Sequence, residues 1–247
     1  MNSISMAFLL TTLAGLSTML GCIPVFVKLK NENKIIAGSL SFAAGVMICV
    51  SVIDLVPESI SMLEGIYSGI ITVLLSFSFI MIGMIISSLI DNKLTIEKNT
   101  SLYKVGIISM IAIILHNVPE GIVTFISTTK DTSLGISLSI AIAMHNIPEG
   151  ISISIPIYYA TKSKSKALIY TFISGLSETI GAILTYLFLL PFINETILGL
   201  LFSLIAGIML HISFVELLPT SISYKENNIT KIFFIIGLFF MFLKLFI

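Results

Sequence analysis

The chain has 247 residues, of which 56% are hydrophobic and 11% are charged, and its formal net charge is zero. Its mean hydropathy of +1.10 excludes a soluble globular protein of ordinary composition. The sequence has no basic run dense enough for nucleic acid, so no nucleic-acid partner is expected. The composition predicts an integral membrane protein whose main partner is the lipid bilayer.

Eight apolar stretches are long enough to cross a bilayer core of about 30 Å. They predict an all-α polytopic membrane protein that forms a single transmembrane domain over residues 1–247. The longest connector, residues 91–103, is polar and is expected to be a short cytoplasmic loop. The predicted spans are 4–27, 35–57, 67–90, 104–127, 134–158, 166–190, 196–219 and 231–247, of which the last is the shortest.

The basic residues are all lysines, and they indicate the orientation of the chain. Eleven of the 13 lysines follow the first, third, fifth or seventh span, and only Lys130 and Lys244 fall on the other side. Because short lysine-rich loops stay in the cytoplasm, both termini are predicted to be extracytoplasmic. Lysine without arginine, with abundant isoleucine and asparagine, points to an AT-rich genome and a bacterial inner membrane.

The second and seventh spans carry an internal repeat. Residues 44–60 and 206–222 align without a gap, and eight of the 17 positions are identical. The two spans are an odd number of crossings apart, so they run in opposite directions through the membrane. The chain is therefore predicted to contain an inverted repeat, spans 1–3 against spans 6–8, as in many secondary transporters.

The repeat also pairs acidic residues at opposite faces of the membrane. Asp54 and Glu58 are predicted at the outer end of the second span, and Glu216 at the cytoplasmic end of the seventh. Acidic residues near both faces of the membrane suit a cation pathway, although Glu58 could equally lie among the lipid headgroups. His211, midway along the seventh span, is either a transit ligand or a packing residue. Met47 either offers a thioether to a passing soft ion or packs in the core.

Two near-identical hexapeptides place polar residues where lipid would reject them. His-Asn-Val-Pro-Glu-Gly covers 116–121 and His-Asn-Ile-Pro-Glu-Gly covers 145–150, each near the middle of its span. The His and Glu of each motif are four residues apart and so share a helix face. Glu178 of the sixth span has the same depth. The seven candidate donors are His116, Asn117, Glu120, His145, Asn146, Glu149 and Glu178.

Imidazole nitrogens and carboxylate oxygens are the ligands of borderline divalent metals such as zinc, iron, cobalt and manganese. The set is large enough for two neighbouring ions, whereas a single His-x-x-x-Glu would more often be a structural polar pair. The proline of each motif is expected to free a backbone carbonyl, at Leu115 and Met144. Unwound backbone at this depth is tolerated where it lines a cavity. Gly121 and Gly150 are expected to let helices approach closely.

At these residues the chain resembles the ZIP (Zrt/Irt-like) family of divalent metal transporters, in particular its bacterial ZupT-type branch. The resemblance rests on the doubled His-Asn-x-Pro-Glu-Gly motif, on Ser-Gly-Leu-Ser-Glu at 174–178 and on Glu-Leu-Leu-Pro at 216–219. It implies eight helices arranged as three, two and three. It also implies that metal enters the cytoplasm through a binuclear centre formed by the seven donors named above. Residues 91–103 lack the histidines that many relatives carry there.

These features predict a secondary transporter rather than an enzyme, with no resident cofactor. Zinc is the first expected cargo, and iron, manganese, cobalt and cadmium are further candidates. One alternative is an intramembrane zinc-dependent hydrolase such as a protease, although the sequence has no His-Glu-x-x-His motif. Another is a proton-conducting relay of His and Glu without metal. Small residues on several spans leave room for a homodimer.

Overall fold

A computed structural model describes residues 2–27, 31–93 and 101–242. Within these residues the chain is helical and contains no strand. Seven of the described helices are long and apolar enough to cross a membrane, and a shorter apolar helix follows them. In chain order the helices are α1 (Ser3–Phe26), α2 (Glu32–Glu64), α3 (Gly69–Lys93), α4 (Leu102–Lys130), α5 (Thr132–Thr161), α6 (Lys164–Leu189), α7 (Glu195–Ser223) and α8 (Asn227–Phe240).

The helices confirm the predicted class and extend most of the predicted spans. The largest difference is in α2, which continues to Glu64 although the predicted span ended at residue 57. Pro57 does not end this helix. It lies in the first turn of the α-helical segment Val56–Glu64, where the backbone N–H that proline lacks would have no acceptor within that segment. Residues 94–100 of the predicted loop and 243–247 of the eighth predicted span lie outside the described residues.

A π-helical turn interrupts α2 and α7 at equivalent places in the repeat. The turn covers Ser51–Leu55 in α2 and Ile212–Leu217 in α7, and a proline follows each one. In both turns a backbone N–H bonds to the carbonyl five residues earlier, which is the π-helical pattern. By contrast, α4 and α5 stay α-helical through the prolines of the two hexapeptides, so their backbone is not unwound there.

Helices α2, α3, α7 and α8 pack together into one half of the molecule, which we call the flanking unit. Within it α2 lies against α8 and α3 against α7, an exchange that the inverted repeat requires. Gly45 of α2 meets the backbone of α8, and Gly207 of α7 meets the backbone of α3 in the same way. The hydroxyl of Ser59 lies 2.6 Å from that of Ser203, which ties α2 to α7 in an antiparallel pair.

Helices α1, α4, α5 and α6 form the other half, which we call the central unit. Its helices cross at glycines, and they approach so closely there that an added Cβ would meet a backbone carbonyl of the neighbouring helix. Gly15 of α1 faces Gly175 of α6, and these two residues are 160 positions apart in the chain. Gly21 of α1 and Gly181 of α6, also 160 apart, face α5 and α4 respectively. The repeat therefore extends to α1 and α6, with α4 and α5 as its central pair.

Large apolar side chains cover the outside of both units. On α3 the side chains of Ile70 and Phe77 are 78% and 60% exposed, and few residues of this helix are buried. Such exposure is incompatible with water but suits lipid. The described residues thus form a polytopic membrane protein whose buried polar groups lie between and within the two units.

Candidate metal centre

The two hexapeptides meet in the middle of the central unit, where α4, α5 and α6 approach closely. The backbone carbonyl of Glu178 lies where a side chain at position 121 would be, and the carbonyl of Thr18 does the same for position 150. The close approach predicted for Gly121 and Gly150 is thereby confirmed. As a result, the polar side chains that precede each glycine face one another instead of lipid.

The histidine of each hexapeptide contacts the glutamate of the other. His116 Nε2 lies 3.1 Å from Glu149 Oε1, and His145 Nε2 lies 3.0 Å from Glu120 Oε1. The predicted contact within one motif also exists, because His116 Nε2 lies 3.5 Å from Glu120 Oε2. Glu120 therefore contacts both imidazoles and joins the two helices.

The two asparagines are held by their amide nitrogens in equivalent ways. Asn117 Nδ2 donates to the carbonyl of Ser174 on α6 at 3.2 Å, and Asn146 Nδ2 donates to the carbonyl of Ala14 on α1 at 2.9 Å. Ala14 and Ser174 are again 160 residues apart, so the inverted repeat includes these bonds. Asn146 Nδ2 donates a second bond to Glu178 Oε2 at 2.9 Å. The amide oxygens of both asparagines face no hydrogen-bond donor.

All seven predicted donors lie in this cluster, and none is more than 5% exposed. Several of their acceptor atoms have no hydrogen-bond partner: Asn117 Oδ1, Asn146 Oδ1, Glu149 Oε2 and Glu178 Oε1. Glu120 Oε2 and Glu149 Oε1 also accept no hydrogen bond of good geometry, although each lies within 3.5 Å of His116 Nε2. Leaving a buried acceptor without a partner costs about 1–3 kcal/mol, and more for a charged group. A cation among these oxygens would offset that cost. In a purely structural polar pair, the two side chains would satisfy each other and no cation would be required.

The ionisable groups of the cluster lie close to one another. In the part of the chain that the structure describes, no three His, Cys, Asp or Glu side chains are arranged to hold a metal ion. The imidazole and carboxylate atoms lie 3.0–3.5 Å from one another. This is about the separation of two ligands that share one ion, because zinc–ligand bonds are about 2.0–2.2 Å long. An ion bound here would lie between these atoms and replace their direct contacts.

An open cavity of about 450 Å³ connects this cluster to the end of α2. Glu120 and His145 lie at its inner end, and Asp54 and Glu58 line it further out. Leu138 on the first half of α5 also lines it. The structure thus brings the two acids of the second predicted span into the same cavity as the hexapeptides.

The remaining predicted pathway residues lie apart from the cavity. Glu216 and His211 are buried on α7, in and just before its π-helical turn, and His211 Nδ1 has no hydrogen-bond partner. Met47 is buried in the apolar core between helices, so its role in the pathway stays a prediction. Two neighbours of Glu216 and His211 were not predicted, Asp91 at the end of α3 and Lys104 near the start of α4. Their signal was weak because single charges at span ends are common in membrane proteins.

Comparisons with known proteins show the family to which the chain belongs. The model of the family described as ZIP Zinc transporter matches residues 95–244. The zinc transporter ZupT of Clostridium perfringens is 41% identical, over 93% of this chain and 91% of that protein. Those of Streptococcus mutans and Chlorobaculum parvum are 43% and 38% identical, over 90% and 92% of both chains. These relatives are transporters and not enzymes. The chain therefore belongs to the ZIP zinc transporter family, as the resemblance in its motifs predicted.

Proposed function

We propose that this protein imports divalent transition-metal ions into the cytoplasm through a site in the centre of the central unit. Zinc, the ion named for its relatives, is the first expected cargo. Iron, manganese, cobalt and cadmium are further candidates, because the donor set combines hard and borderline ligands without a thiolate. The metal would be substrate, taken up and released, and not a resident cofactor.

The observation that carries this proposal is the set of buried acceptor atoms that accept no hydrogen bond of good geometry. Three glutamates and two asparagines contribute such oxygens within one cluster, and all five side chains are almost inaccessible. Imidazole, carboxylate and amide oxygen together can replace the hydration shell of a divalent ion. Three carboxylates with neutral imidazoles would also compensate the charge of more than one ion.

The arrangement is suited to two neighbouring ions. Glu120 and Glu149 share the two imidazoles on one side, and these four residues would bind the first ion. Glu178 and Asn146 form a separate contact, and the amide oxygens of Asn117 and Asn146 have no donor. A second ion would bind there, with the carboxylates between the two positions shared as bridging ligands.

The cavity beside Asp54 and Glu58 provides a path to this site. With the orientation predicted from the lysines, the cavity opens to the outside of the cell and both termini lie outside the cytoplasm. Clefts lined by one sign of charge attract ions of the other sign, so the two acids would raise the local metal concentration. Glu216 and His211 would take part in release on the cytoplasmic side.

Transport would follow from motion between the two units. The central unit holds every proposed ligand, and the flanking unit contributes the acids on either side of it. In transporters with inverted repeats, alternating access is largely a rigid-body movement of one such unit against another. Equivalent contacts on the two faces, as the repeat provides, would give the inward-facing and outward-facing states similar free energies.

Reconstitution in liposomes tests the proposal directly. Influx of zinc, iron, manganese and cobalt would be measured for the wild type and for Glu120→Ala and Glu178→Ala, with Glu64→Ala as the matched control because Glu64 is exposed and outside the cavity. We expect metal influx in the wild type and the control, and loss of it in both other variants. Undiminished influx in both would refute the site. A proton leak without metal influx, followed with a pH-sensitive dye, would favour the relay.

A further inference from the structure

A second polar cluster, which is partly buried, lies towards the ends of α3 and α7, on the side away from the open cavity. It contains Asp91, Glu216 and His211, which interact electrostatically, and Lys104, whose Nζ lies 2.6 Å from Asp91 Oδ1. Glu216 and His211 are 9% and 7% exposed, and His211 Nδ1 has no hydrogen-bond partner. Three of these residues belong to the flanking unit, and Lys104 comes from the central unit.

The depth of the cluster follows from the glycine crossing between α3 and α7. Gly83 and Gly207 meet the backbone of the opposite helix at this crossing. Asp91 is eight residues beyond Gly83, and Glu216 is nine residues beyond Gly207. The two carboxylates therefore lie at one level, about 12–14 Å past the crossing at 1.5 Å per residue. Under the proposed orientation this is the level at which metal leaves for the cytoplasm.

As the structure has them, the side chains of Asp91, Glu216 and His211 are not arranged to hold a metal ion, but if they closed around a divalent ion with no positive charge nearby they would release it slowly. Two carboxylates and an imidazole match the preferences of zinc, and their partial burial strengthens the attraction relative to water. A carrier needs a site that binds well enough to receive the ion but releases it quickly. The ammonium of Lys104 can lower the affinity of the cluster for metal, because it neutralises the charge of Asp91 and stays covalently attached to the chain.

We propose that Lys104 is a tethered counter-cation that keeps the affinity of this cluster for metal low and so promotes release into the cytoplasm. When an ion arrives, the ammonium turns away from Asp91, and its return displaces the ion. Lys104 is thus a positioning residue that acts through Asp91. The inference rests on the proposed function, because the ion that it helps to release is the one that the central site would deliver.

A second lysine bridge on the same side provides a matched control. Lys162 Nζ lies 2.9 Å from Glu32 Oε2, and this pair also joins the central unit to the flanking unit. Its side chains are 59% and 60% exposed, whereas those of Lys104 and Asp91 are 31% and 16% exposed. Among the described residues, no buried carboxylate or imidazole is in contact with this pair. Removal of Lys162 therefore tests whether the loss of any salt bridge between the two units is sufficient to change transport.

The experiment measures zinc influx into liposomes that contain increasing concentrations of buffered internal zinc. With Lys104→Gln we expect internal zinc to inhibit at a concentration about tenfold lower than for the wild type, because one positive charge is lost beside the carboxylates. The maximal influx rate should also fall. Lys162→Gln and Lys104→Arg should behave like the wild type. The double variant Asp91→Asn/Lys104→Gln should regain weak internal inhibition, because the carboxylate that Lys104 neutralises is gone.

The outcomes separate the inference from the function on which it rests. Absence of metal influx in the wild type would contradict the proposed function itself. Normal influx and internal inhibition in Lys104→Gln would overturn only the role of Lys104. Equal changes in Lys104→Gln and Lys162→Gln would also overturn it, and would favour a latch between the two units. If Lys104→Gln does not fold, Lys104→Met and the double variant provide the same comparison.

Discussion

The imidazole of His116 lies 3.1 Å from the carboxylate of Glu149, which belongs to the other hexapeptide. The reciprocal contact joins His145 to Glu120, so the pairing is exchanged between α4 and α5. Four ionisable groups on two antiparallel helices therefore form one connected network of contacts. Binding of a metal would alter all of these contacts together, which couples occupation of the site to the relative position of the two helices.

Glu120→Gln should be more harmful than a change at any single neighbour, because Glu120 contacts both imidazoles. The amide keeps the shape but removes the charge that a divalent ion needs. We expect zinc influx in liposomes to fall by about 100-fold or more, since even outer-shell changes cost 10–100-fold. The exposed Glu64→Gln serves as control, and influx of the Glu120 variant within threefold of the control would contradict this assignment.

Asn146→Ala should destabilise the protein more than Asn117→Ala. Asn146 donates two hydrogen bonds, one to the carboxylate of Glu178, whereas Asn117 donates one to a backbone carbonyl. Each intramolecular hydrogen bond contributes about 0.5–1.5 kcal/mol, so the loss of two bonds should cost more than the loss of one. Thermal unfolding in detergent, measured without metal, should therefore give the lower midpoint for the Asn146 variant. Equal midpoints would show that the bond to Glu178 contributes little.

Asp54→Asn and Glu58→Gln should affect capture of metal more than its transfer. Both side chains line the open cavity, while Glu120 and His145 lie at its inner end. Loss of one negative charge weakens long-range attraction, so KM for zinc should rise by about three- to tenfold at low ionic strength. The maximal rate should change little, and the difference should shrink in 0.5 M salt because of screening. A fall in the maximal rate with unchanged KM would instead assign these residues to the transfer step.

Gly175→Ala should be strongly destabilising, because its Cβ would overlap the backbone carbonyl of Gly15 at the crossing of α1 and α6. Overpacking of this kind costs about 1–3 kcal/mol, and here the neighbour is backbone and cannot rotate away. Gly69→Ala is the matched control, since nothing lies within 4 Å of a Cβ built there. Unfolding in detergent should show a lower midpoint for the first variant and an unchanged midpoint for the second.

Much of this architecture was predictable because its signals are local. Hydropathy located the helices, and the spacing of His and Glu placed each pair on one helix face. The exchange of partners between His116 and Glu149 was not predictable, since it depends on how two separate helices rotate against each other. The meeting of Asp91 with Lys104 likewise depends on tertiary packing. The inverted repeat of spans 1–3 against spans 6–8 was predicted from α2 and α7 alone, and the small residues that recur 160 positions apart in α1 and α6 are a further signal of it.

Cysteine labelling tests the predicted orientation and the side on which the cavity opens. Ala141 lines the cavity, whereas Ile153, further along α5, is fully buried, and both native cysteines are buried. In intact cells, a membrane-impermeant thiol reagent should modify Ala141→Cys, and zinc should slow that reaction. Ile153→Cys should not react. Glu64→Cys, at the exposed end of α2, should react whether or not zinc is present. Reaction of Glu64→Cys only after the cytoplasmic side is opened would contradict the predicted orientation and place the opening of the cavity on the cytoplasmic side.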